Sequence, residues 1–241
     1  MSQTINFNPY IIPTLTEIMK KFVITDIHGC NITFHALLKK LNLQPSDELY
    51  LLGDYIDRGP NSKGVIDTIL DLQSQGFRVF CLKGNHEDAM LEARTDLIGR
   101  QYWLSWGGVE TLRSFGCELT EIPGIYWDFM ENLHPYLEVD DYILVHAGLN
   151  FGQGKPLDDY QSMMWIREWY NEIDYRWLGN RKIIHGHTPI RKQDIELMAE
   201  SIHKNQFLDI DAGCYCYDWL CAFELTEQRL IFQKRLDEVN Y

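Results

Sequence analysis

Short apolar runs that stop at groups of polar residues recur along this chain, and this pattern limits its fold more than any other feature. Phe22–Thr25 is a β-favouring run that stops at Asp26, and Ile32–Leu41 then carries apolar residues at helical spacing. The same order continues with strand Glu48–Leu52, helix Val65–Leu72 and strand Phe77–Leu82. Consecutive strand–helix–strand units predict a mostly parallel sheet that is covered by helices.

The middle of the chain, from about Leu91 to Glu138, is rich in aromatic residues and in helical spacing, with Gly107-Gly108 and Phe115-Gly116 as breakers. We interpret it as a helical cap region. Five further strands are predicted at Tyr142–Val145, Lys182–Ile184, Phe207–Ile210, Cys221–Leu225 and Leu230–Gln233. Their short connections predict a second, partly antiparallel sheet.

The length of 241 residues fits one α/β domain, and a hydrophobic fraction of 45% is enough to fill its core. The stretch MKKFVITDIHG, which begins at Met19, reads like a natural protein start just before the first strand. We therefore interpret residues 1–18 as an N-terminal extension and residues 19–241 as a single domain. The oligomeric state is left open.

The charge balance bears on possible partners. The chain has 35 acidic against 22 basic residues, a formal charge of −13, and no strong cluster of Lys or Arg. Such a chain repels nucleic acids and anionic lipids, so neither partner is expected. Six scattered cysteines without CxxC spacing, and no secretory leader or apolar span in Met1–Leu15, predict reduced thiols in the cytoplasm.

The polar groups that end the apolar runs share flanking glycines, which let the backbone turn tightly and approach a ligand. They are Asp26 and His28 in TDIHG, Asp54, Asp57 and Arg58 in GDYIDRG, Asn85, His86 and Glu87 in GNHE, His146 in VHAG, and His185 and His187 in IIHGHTP. In open α/β sheets, ligands bind beyond the carboxyl ends of strands. Five such groups in one chain therefore favour a functional site over separate turns and helix caps.

The residue types in these groups indicate which ligand they bind. Asp, Asn and His without Cys form an oxygen and nitrogen site that suits Mn, Fe or Zn ions better than a structural zinc held by thiolates. Two cations about 3.5–4 Å apart need one shared carboxylate and further ligands for each ion. The number of candidate ligands is sufficient for such a dinuclear centre.

The ordered set DxH, GDxxDRG, GNHE, HAG and GHTP resembles the phosphoprotein phosphatase family, the protein serine/threonine phosphatases of bacterial and phage type, within the calcineurin-like metallophosphoesterases. The resemblance runs from about Met19 to Leu225, and Asp209–Gly213 also resembles the end of that family's domain. It implies an α/β fold with two central mixed sheets flanked by helices.

The resemblance also implies the metal ligands. One metal would be held by Asp26, His28 and Asp54. The other would be held by Asp54, Asn85, His146 and a histidine of HGHTP. Asp54 would then bridge the two ions. Alignment of the GHT motif favours His187 as that ligand, while His185 would support the site or simply end its strand.

Further roles follow from the same resemblance and from the chemistry of the groups. Two divalent ions, Mn²⁺ first and Fe or Zn as alternatives, would lower the pKa of a bridging water and neutralise the phosphate oxygens. Arg58 would clamp the phosphate, with Asn85 and Arg167 as further substrate contacts. His86 would protonate the leaving group as general acid, and Asp57 would orient and charge its ring.

The expected activity is that of a protein serine/threonine phosphatase, which hydrolyses phosphomonoesters in a phosphorylated protein or a small phosphoester. The alternative is a dinucleoside-tetraphosphate hydrolase, because the symmetrical enzymes of that kind share DxHGC and GHTP-like elements. Those hydrolases usually lack the second Asp of GDxxDRG and carry GNHD, whereas this chain keeps Asp57 and has Glu87. A third hypothesis, a non-catalytic module that binds phosphoproteins, is disfavoured because every expected ligand is present.

Overall fold

The computed structural model describes residues 19–239, so the predicted extension at residues 1–18 lies outside the described residues. Two β-sheets pack face to face, and helices cover their outer sides. This is the α/β fold with two mixed sheets flanked by helices that the resemblance implies. Within residues 19–239, no helix is long and apolar enough to cross a membrane.

The strands of the described region are β1 (Lys21–Ile24), β2 (Glu48–Leu51), β3 (Arg78–Cys81), β4 (Tyr136–Val139), β5 (Tyr142–Val145), β6 (Lys182–His185), β7 (Phe207–Asp209), β8 (Trp219–Glu224) and β9 (Arg229–Lys234). The first sheet has the order β3-β2-β1-β8-β9, and the second has the order β4-β5-β6-β7. Strands β1, β2 and β3 are parallel, as are β5, β6 and β7, so each sheet has a parallel half.

The α-helices of the same region are α1 (Asn31–Leu41), α2 (Ser62–Ser74), α3 (Asn85–Glu92), α4 (Leu97–Trp103), α5 (Val109–Phe115), α6 (Gly124–Glu131), α7 (Tyr160–Trp165), α8 (Tyr175–Leu178), α9 (Lys192–Glu200) and α10 (Ile202–Asn205). Helix α1 follows β1 and α2 follows β2, as the alternating apolar patterns predict. A π-helical segment at Leu104–Gly108 joins α4 to α5 with a kink at Gly107.

Successive side chains along a strand point to opposite faces of its sheet, so each strand contributes to two layers of the core. In β1, Phe22 and Ile24 pack toward the helices, while Val23 packs between the two sheets. In β5, Leu144 also lies between the sheets, while Ile143 belongs to the cluster on the outer side of the second sheet. Both faces of the inner strands are thus buried, which explains their continuous apolar sequences.

The prediction of sheet membership was wrong for the last two strands. Strands β8 and β9 pair antiparallel with each other, as their turn-like connection suggests, but they extend the first sheet. Residues 222–224 of β8 lie antiparallel to residues 22–24 of β1, at the opposite end of the domain sequence. Such long-range pairing leaves no signal in the spacing of nearby segments.

The middle region is helical over α4, α5 and α6, but the predicted helical stretch runs too far. Its last residues form strand β4, which pairs antiparallel with β5 across a short turn at Asp140 and Asp141. The α4–α6 helices pack against the helix layer of the first sheet, with Trp103, Leu119 and Trp127 buried in that core. They thereby form one side of the site described next.

Candidate metal centre

The polar groups predicted from the sequence do converge at the carboxyl ends of the strands. Asp26 lies just beyond β1, Asp54 just beyond β2, and Asn85 begins helix α3 after β3. From the second sheet, His146 follows β5 directly and His187 lies two residues beyond β6. All five side chains are buried, at 6% exposure or less.

Much of this site is built from unusual backbone. Six of the residues selected from the sequence have positive φ angles between 45° and 76°, namely Asp26, His28, Asp54, Asp57, Arg58 and His187. Left-handed backbone is strained in residues other than glycine and is concentrated at functional sites. The strand-end turns therefore serve to aim side chains at one point, at a cost that the surrounding core must offset.

Two glycines allow the carboxylates to approach the backbone closely. A Cβ atom added at Gly84 would lie 2.2 Å from Asp54 Oδ1, and one added at Gly186 would lie 2.2 Å from Asp26 Oδ2. Neither position can accept a side chain without displacing an acidic group.

Glu87 holds the loop that carries Asp54. Its buried carboxylate accepts hydrogen bonds from the backbone N–H groups of Asp54 at 2.9 Å, Tyr55 at 2.8 Å and Gly84 at 3.1 Å. The loop between β2 and α2 and the start of α3 are therefore joined through one side chain. Sequence reasoning had used Glu87 only to distinguish between families, and its structural role was missed.

We predict that Glu87→Gln lowers the free energy of unfolding by about 2 kcal/mol, because the amide NH₂ faces backbone donors that then lack an acceptor. Urea denaturation of the two proteins measures the difference. Glu92→Gln is the matched control, since Glu92 is exposed on the same helix and should change stability by less than about 0.5 kcal/mol. Equal stability of Glu87→Gln and wild type would contradict this role.

The first group of candidate ligands surrounds His28. Its Nδ1 donates to the carbonyl oxygen of Ile56 at 2.9 Å, which leaves the Nε2 lone pair facing the site. Nε2 lies 3.5 Å from Asp54 Oδ2 and 3.9 Å from Asp26 Oδ1. Asp26 Oδ1 is itself buried without a hydrogen-bond partner, so it is an acceptor available to a cation.

The second group surrounds Asn85. His146 Nδ1 donates to the carbonyl oxygen of Leu52 at 2.9 Å, so its Nε2 carries the lone pair. That lone pair faces Asn85 Oδ1 at 3.0 Å, and His187 Nδ1 lies 2.8 Å from the same oxygen. His146 Nε2 and Asn85 Oδ1 are then both acceptors, and two acceptors directed at one another in a buried space repel unless a positive charge lies between them. The arrangement fits a cation better than a hydrogen-bond network.

Asp54 lies between the two groups. One carboxylate oxygen, Oδ2, faces His28, while the other, Oδ1, is 3.5 Å from His146 Nε2. Ligand atoms of His28, Asp54 and His86, and of Asp54, His146 and His187, lie within 4.8 Å of one another in each set. Asp54 is the residue that the two sets share.

The electrostatics of the pocket also fit cations. Burial, and then the charges of Asp26 and Glu87, raise the pKa of Asp54 well above its usual range. Burial lowers the pKa of His28 and His146, so their imidazoles stay neutral, the form that binds metals. Excess buried carboxylate beside neutral imidazole is an environment that divalent ions stabilise.

His86 and Asp57 form a buried pair beside the candidate ligands. His86 Nδ1 and Asp57 Oδ2 are 2.6 Å apart, which leaves His86 Nε2 facing the centre, 3.8 Å from Asp54 Oδ2. The Asp57 carboxylate also accepts from Trp103 Nε1 at 3.0 Å and from Thr111 Oγ1 at 2.6 Å. These two hydrogen bonds fix the orientation of the Asp57 carboxylate. Asp57 in turn fixes the tautomer and orientation of the His86 ring.

The two arginines lie on different sides of the centre. Arg58 donates from its guanidinium to His28 Nε2 at 2.7 Å and packs over the Tyr215 ring at 4.3 Å. Arg167 donates to Thr188 Oγ1 at 2.8 Å, next to His187. Arg58 therefore reaches directly into the first ligand group, whereas Arg167 borders the second.

Several residues of the site carry no motif and were missed by the sequence analysis. They are Trp103, Thr111 and Tyr215. Asp211, in the Asp209–Gly213 segment noted from the sequence, is also buried, and burial and Asp26 raise its pKa. His185 was weighed as a ligand alternative and lies apart, with Nδ1 bonded to the carbonyl oxygen of Gly186 and its ring against Trp169.

Comparison with known proteins identifies the family. The sequence model of the calcineurin-like phosphoesterases matches residues 19–218. The chain belongs to this family. It is a metallophosphoesterase, and the paired His and Asp groups are suited to the dinuclear divalent centre that calcineurin-like phosphoesterases use.

Two of the curated proteins similar to this calcineurin-like phosphoesterase illustrate the comparison. The asymmetrical bis(5'-nucleosyl)-tetraphosphatase PrpE of Anoxybacillus flavithermus is 28% identical over 87% of this chain and 91% of the relative. A symmetrical bis(5'-nucleosyl)-tetraphosphatase of Nitrosomonas europaea is 30% identical, but over 54% of this chain and 45% of the relative. The chain thus spans less than half of the second protein.

Among solved structures, a protein serine/threonine phosphatase from Saccharomyces cerevisiae superposes with a TM-score of 0.64 over 94% of this chain and 82% of the other, at 18% identity. At this identity the likeness concerns the fold. It agrees with the two packed sheets flanked by helices.

Proposed function

We propose that this chain hydrolyses bis(5'-nucleosyl) tetraphosphates, with asymmetrical cleavage of the phosphate chain. The observation that carries the proposal is the similarity to an asymmetrical enzyme of that name over 87% of this chain and 91% of the relative. The proposal takes the alternative of the sequence analysis as the first candidate. The presence of Asp57 and Glu87, which had favoured a protein phosphatase, is outweighed by that near full-length match.

The geometry supports the hydrolysis of a phosphate chain. Asp26, His28 and Asp54 would hold one divalent ion, and Asp54, Asn85, His146 and His187 would hold the other. When bound, these ions would supply charge neutralisation at the phosphate and a lowered pKa for water. Arg58 and Arg167 provide permanent positive charge on two sides of the centre, where an extended anionic chain can bind.

The chain's own acid completes the proposed reaction. His86 Nε2 faces the centre, so a protonated ring can donate its proton to the leaving oxygen as the phosphorus–oxygen bond breaks. Asp57 accepts from the opposite ring nitrogen and stabilises the charged ring. Trp103 and Thr111 hold Asp57 in place, and the burial of all these groups excludes water from the proton donor.

A second candidate is a phosphoprotein phosphatase acting on phosphoserine or phosphothreonine. The observation that favours it is the His86–Asp57 pair. A nucleotide is a good leaving group and gains little from protonation, whereas a serine alkoxide leaves slowly without a proton. Two further donors hold Asp57, which orients His86. A proton donor held so firmly is not required for a leaving group that departs easily.

We expect protein reconstituted with Mn²⁺ to cleave diadenosine tetraphosphate to ATP and AMP at a higher kcat/KM than it cleaves phosphoserine, phosphothreonine or phosphotyrosine peptides. Chromatography of the nucleotides identifies the products. Formation of two ADP molecules instead would support the proposed substrate class but contradict asymmetrical cleavage. Faster turnover of the phosphoserine peptide than of the tetraphosphate would make the second candidate the correct one.

A further inference from the structure

Three aromatic side chains, Tyr102, Trp106 and Trp165, form a continuous surface that we call the aromatic wall. The rings of Tyr102 and Trp106 are stacked, with centroids 6.2 Å apart at 28°, and Trp106 meets Trp165 edge to face at 5.5 Å. Tyr102 is 59% exposed and Trp106 is 40% exposed. Large rings that remain this accessible are available to a ligand.

The wall is joined to both arginines of the site by short stretches of chain. Trp106 directly precedes Gly107, whose carbonyl oxygen accepts a hydrogen bond from the backbone N–H of Arg58 at 3.3 Å. A Cβ atom added at Gly107 would lie 2.6 Å from that nitrogen, so the two backbones are in close contact. At the other end, Trp165 lies two residues before Arg167 in the chain.

The chemistry of the wall selects a flat ligand. Stacked tyrosine and tryptophan present π faces, which bind nucleobases with little dependence on base identity. The indole nitrogen of Trp165 is a buried donor without a hydrogen-bond acceptor in the described part of the chain, so a polar ligand atom can still be accommodated there. An aliphatic surface would offer neither feature.

We propose that the aromatic wall binds a nucleobase of the substrate by stacking, chiefly on Trp106, while the phosphate chain extends from the wall to Arg58 and the metal centre. The choice of a nucleotide as occupant rests on the proposed function. The wall then acts as a determinant of substrate class, since it distinguishes nucleoside polyphosphates from phosphate compounds that lack a base.

Calorimetry tests this with two ligands that resist hydrolysis, adenosine 5'-(α,β-methylene)diphosphate and methylenediphosphonate, which has the same phosphonate pair but no base. Wild-type protein loaded with Mn²⁺ should bind the nucleoside analogue about tenfold more tightly. Trp106→Ala should remove about that factor of ten and leave the affinity for methylenediphosphonate unchanged. Trp106→Phe keeps an aromatic face, so its affinity for the nucleoside analogue should lie between those of wild type and Trp106→Ala.

Tyr175→Ala is the matched control, because Tyr175 is 48% exposed on α8, away from the wall, and should leave both affinities unchanged. Equal affinity of wild type for both ligands, or unchanged nucleoside binding in Trp106→Ala, would overturn the proposal. Turnover of diadenosine tetraphosphate is measured separately. The binding result could be as expected, with base-dependent affinity lost in Trp106→Ala, while wild type cleaves no tetraphosphate. That outcome would reject the proposed function but would still support the nucleobase site.

Discussion

Asp54→Asn should lose bound metal and activity together. The Asp54 carboxylate faces both ligand groups, so its replacement by a neutral amide removes the shared charge from both. We expect the affinity for metal to fall by more than about 100-fold, since residues that merely support metal ligands are already worth about 10–100-fold. Turnover should fall to that of wild-type protein treated with a chelator.

Elemental analysis of dialysed protein measures the metal content, and hydrolysis of an aryl phosphate measures the activity. Asp71→Asn is the control, because Asp71 is an exposed aspartate on α2 and should retain both properties. Wild-type protein should recover activity when Mn²⁺ is returned after chelation, and Asp54→Asn should not. Two metals per chain with near-normal turnover in Asp54→Asn would remove this residue from the bridge.

His86→Asn should keep its metals but lose turnover in a manner that depends on the leaving group. His86 is oriented by Asp57 at 2.6 Å and faces the centre through Nε2, so its proposed task is to protonate the leaving oxygen. The loss on a phosphoserine peptide should be about 10²–10⁴-fold, the usual contribution of general acid catalysis. An aryl phosphate, and a nucleotide leaving from a tetraphosphate, should be affected much less.

Substitution of the residues that support His86 should cause the same dependence on the leaving group, with a smaller loss of turnover. Trp103→Phe removes one of the donors that hold Asp57 and leaves the ring in the core, so it should slow phosphoserine hydrolysis more than aryl phosphate hydrolysis. Asp57→Asn should do so more strongly. Equal losses of His86→Asn on good and poor leaving groups, with the chemical step rate-limiting for both, would refute the acid assignment. Loss of metal in that variant would instead make His86 a ligand.

The sequence predicted which polar groups come together because the relevant geometry is local. A parallel strand that ends in a glycine-flanked acidic group must present that group at the carboxyl edge of its sheet, and neighbouring strands end at the same edge. The convergence of Asp26, Asp54 and Asn85 could therefore be predicted without any knowledge of distant contacts. The same reasoning failed for β8 and β9, because their sheet is decided by pairing with β1.

The residues that hold the site in shape could not be predicted in this way. Trp103 and Thr111 reach Asp57 from a helical region whose spacing resembles that of any packed helix. Glu87 was visible as part of GNHE, but its four backbone partners depend on how two loops meet. Such roles belong to tertiary packing and leave no pattern along the chain.

The substrate was harder to predict than the chemistry. Asp57 and Glu87 were used to choose a protein phosphatase, yet in the structure Glu87 anchors the loop that carries Asp54 and Asp57 orients a histidine. The hydrogen-bond partners of both residues belong to the centre and to the segments that support it. Residues that support the reaction therefore carry little information about the group attached to the phosphate.

The left-handed turns of the centre are held by the hydrogen bonds of Glu87, the backbone contacts between loops and the surrounding core, none of which needs a metal. We therefore expect the fold to persist when metal is removed, unlike that of small zinc domains, which unfold when the ion is removed. A metal-depleted chain should persist as a folded reserve. Return of metal to such a chain should restore activity at the speed of ion binding, without a folding step.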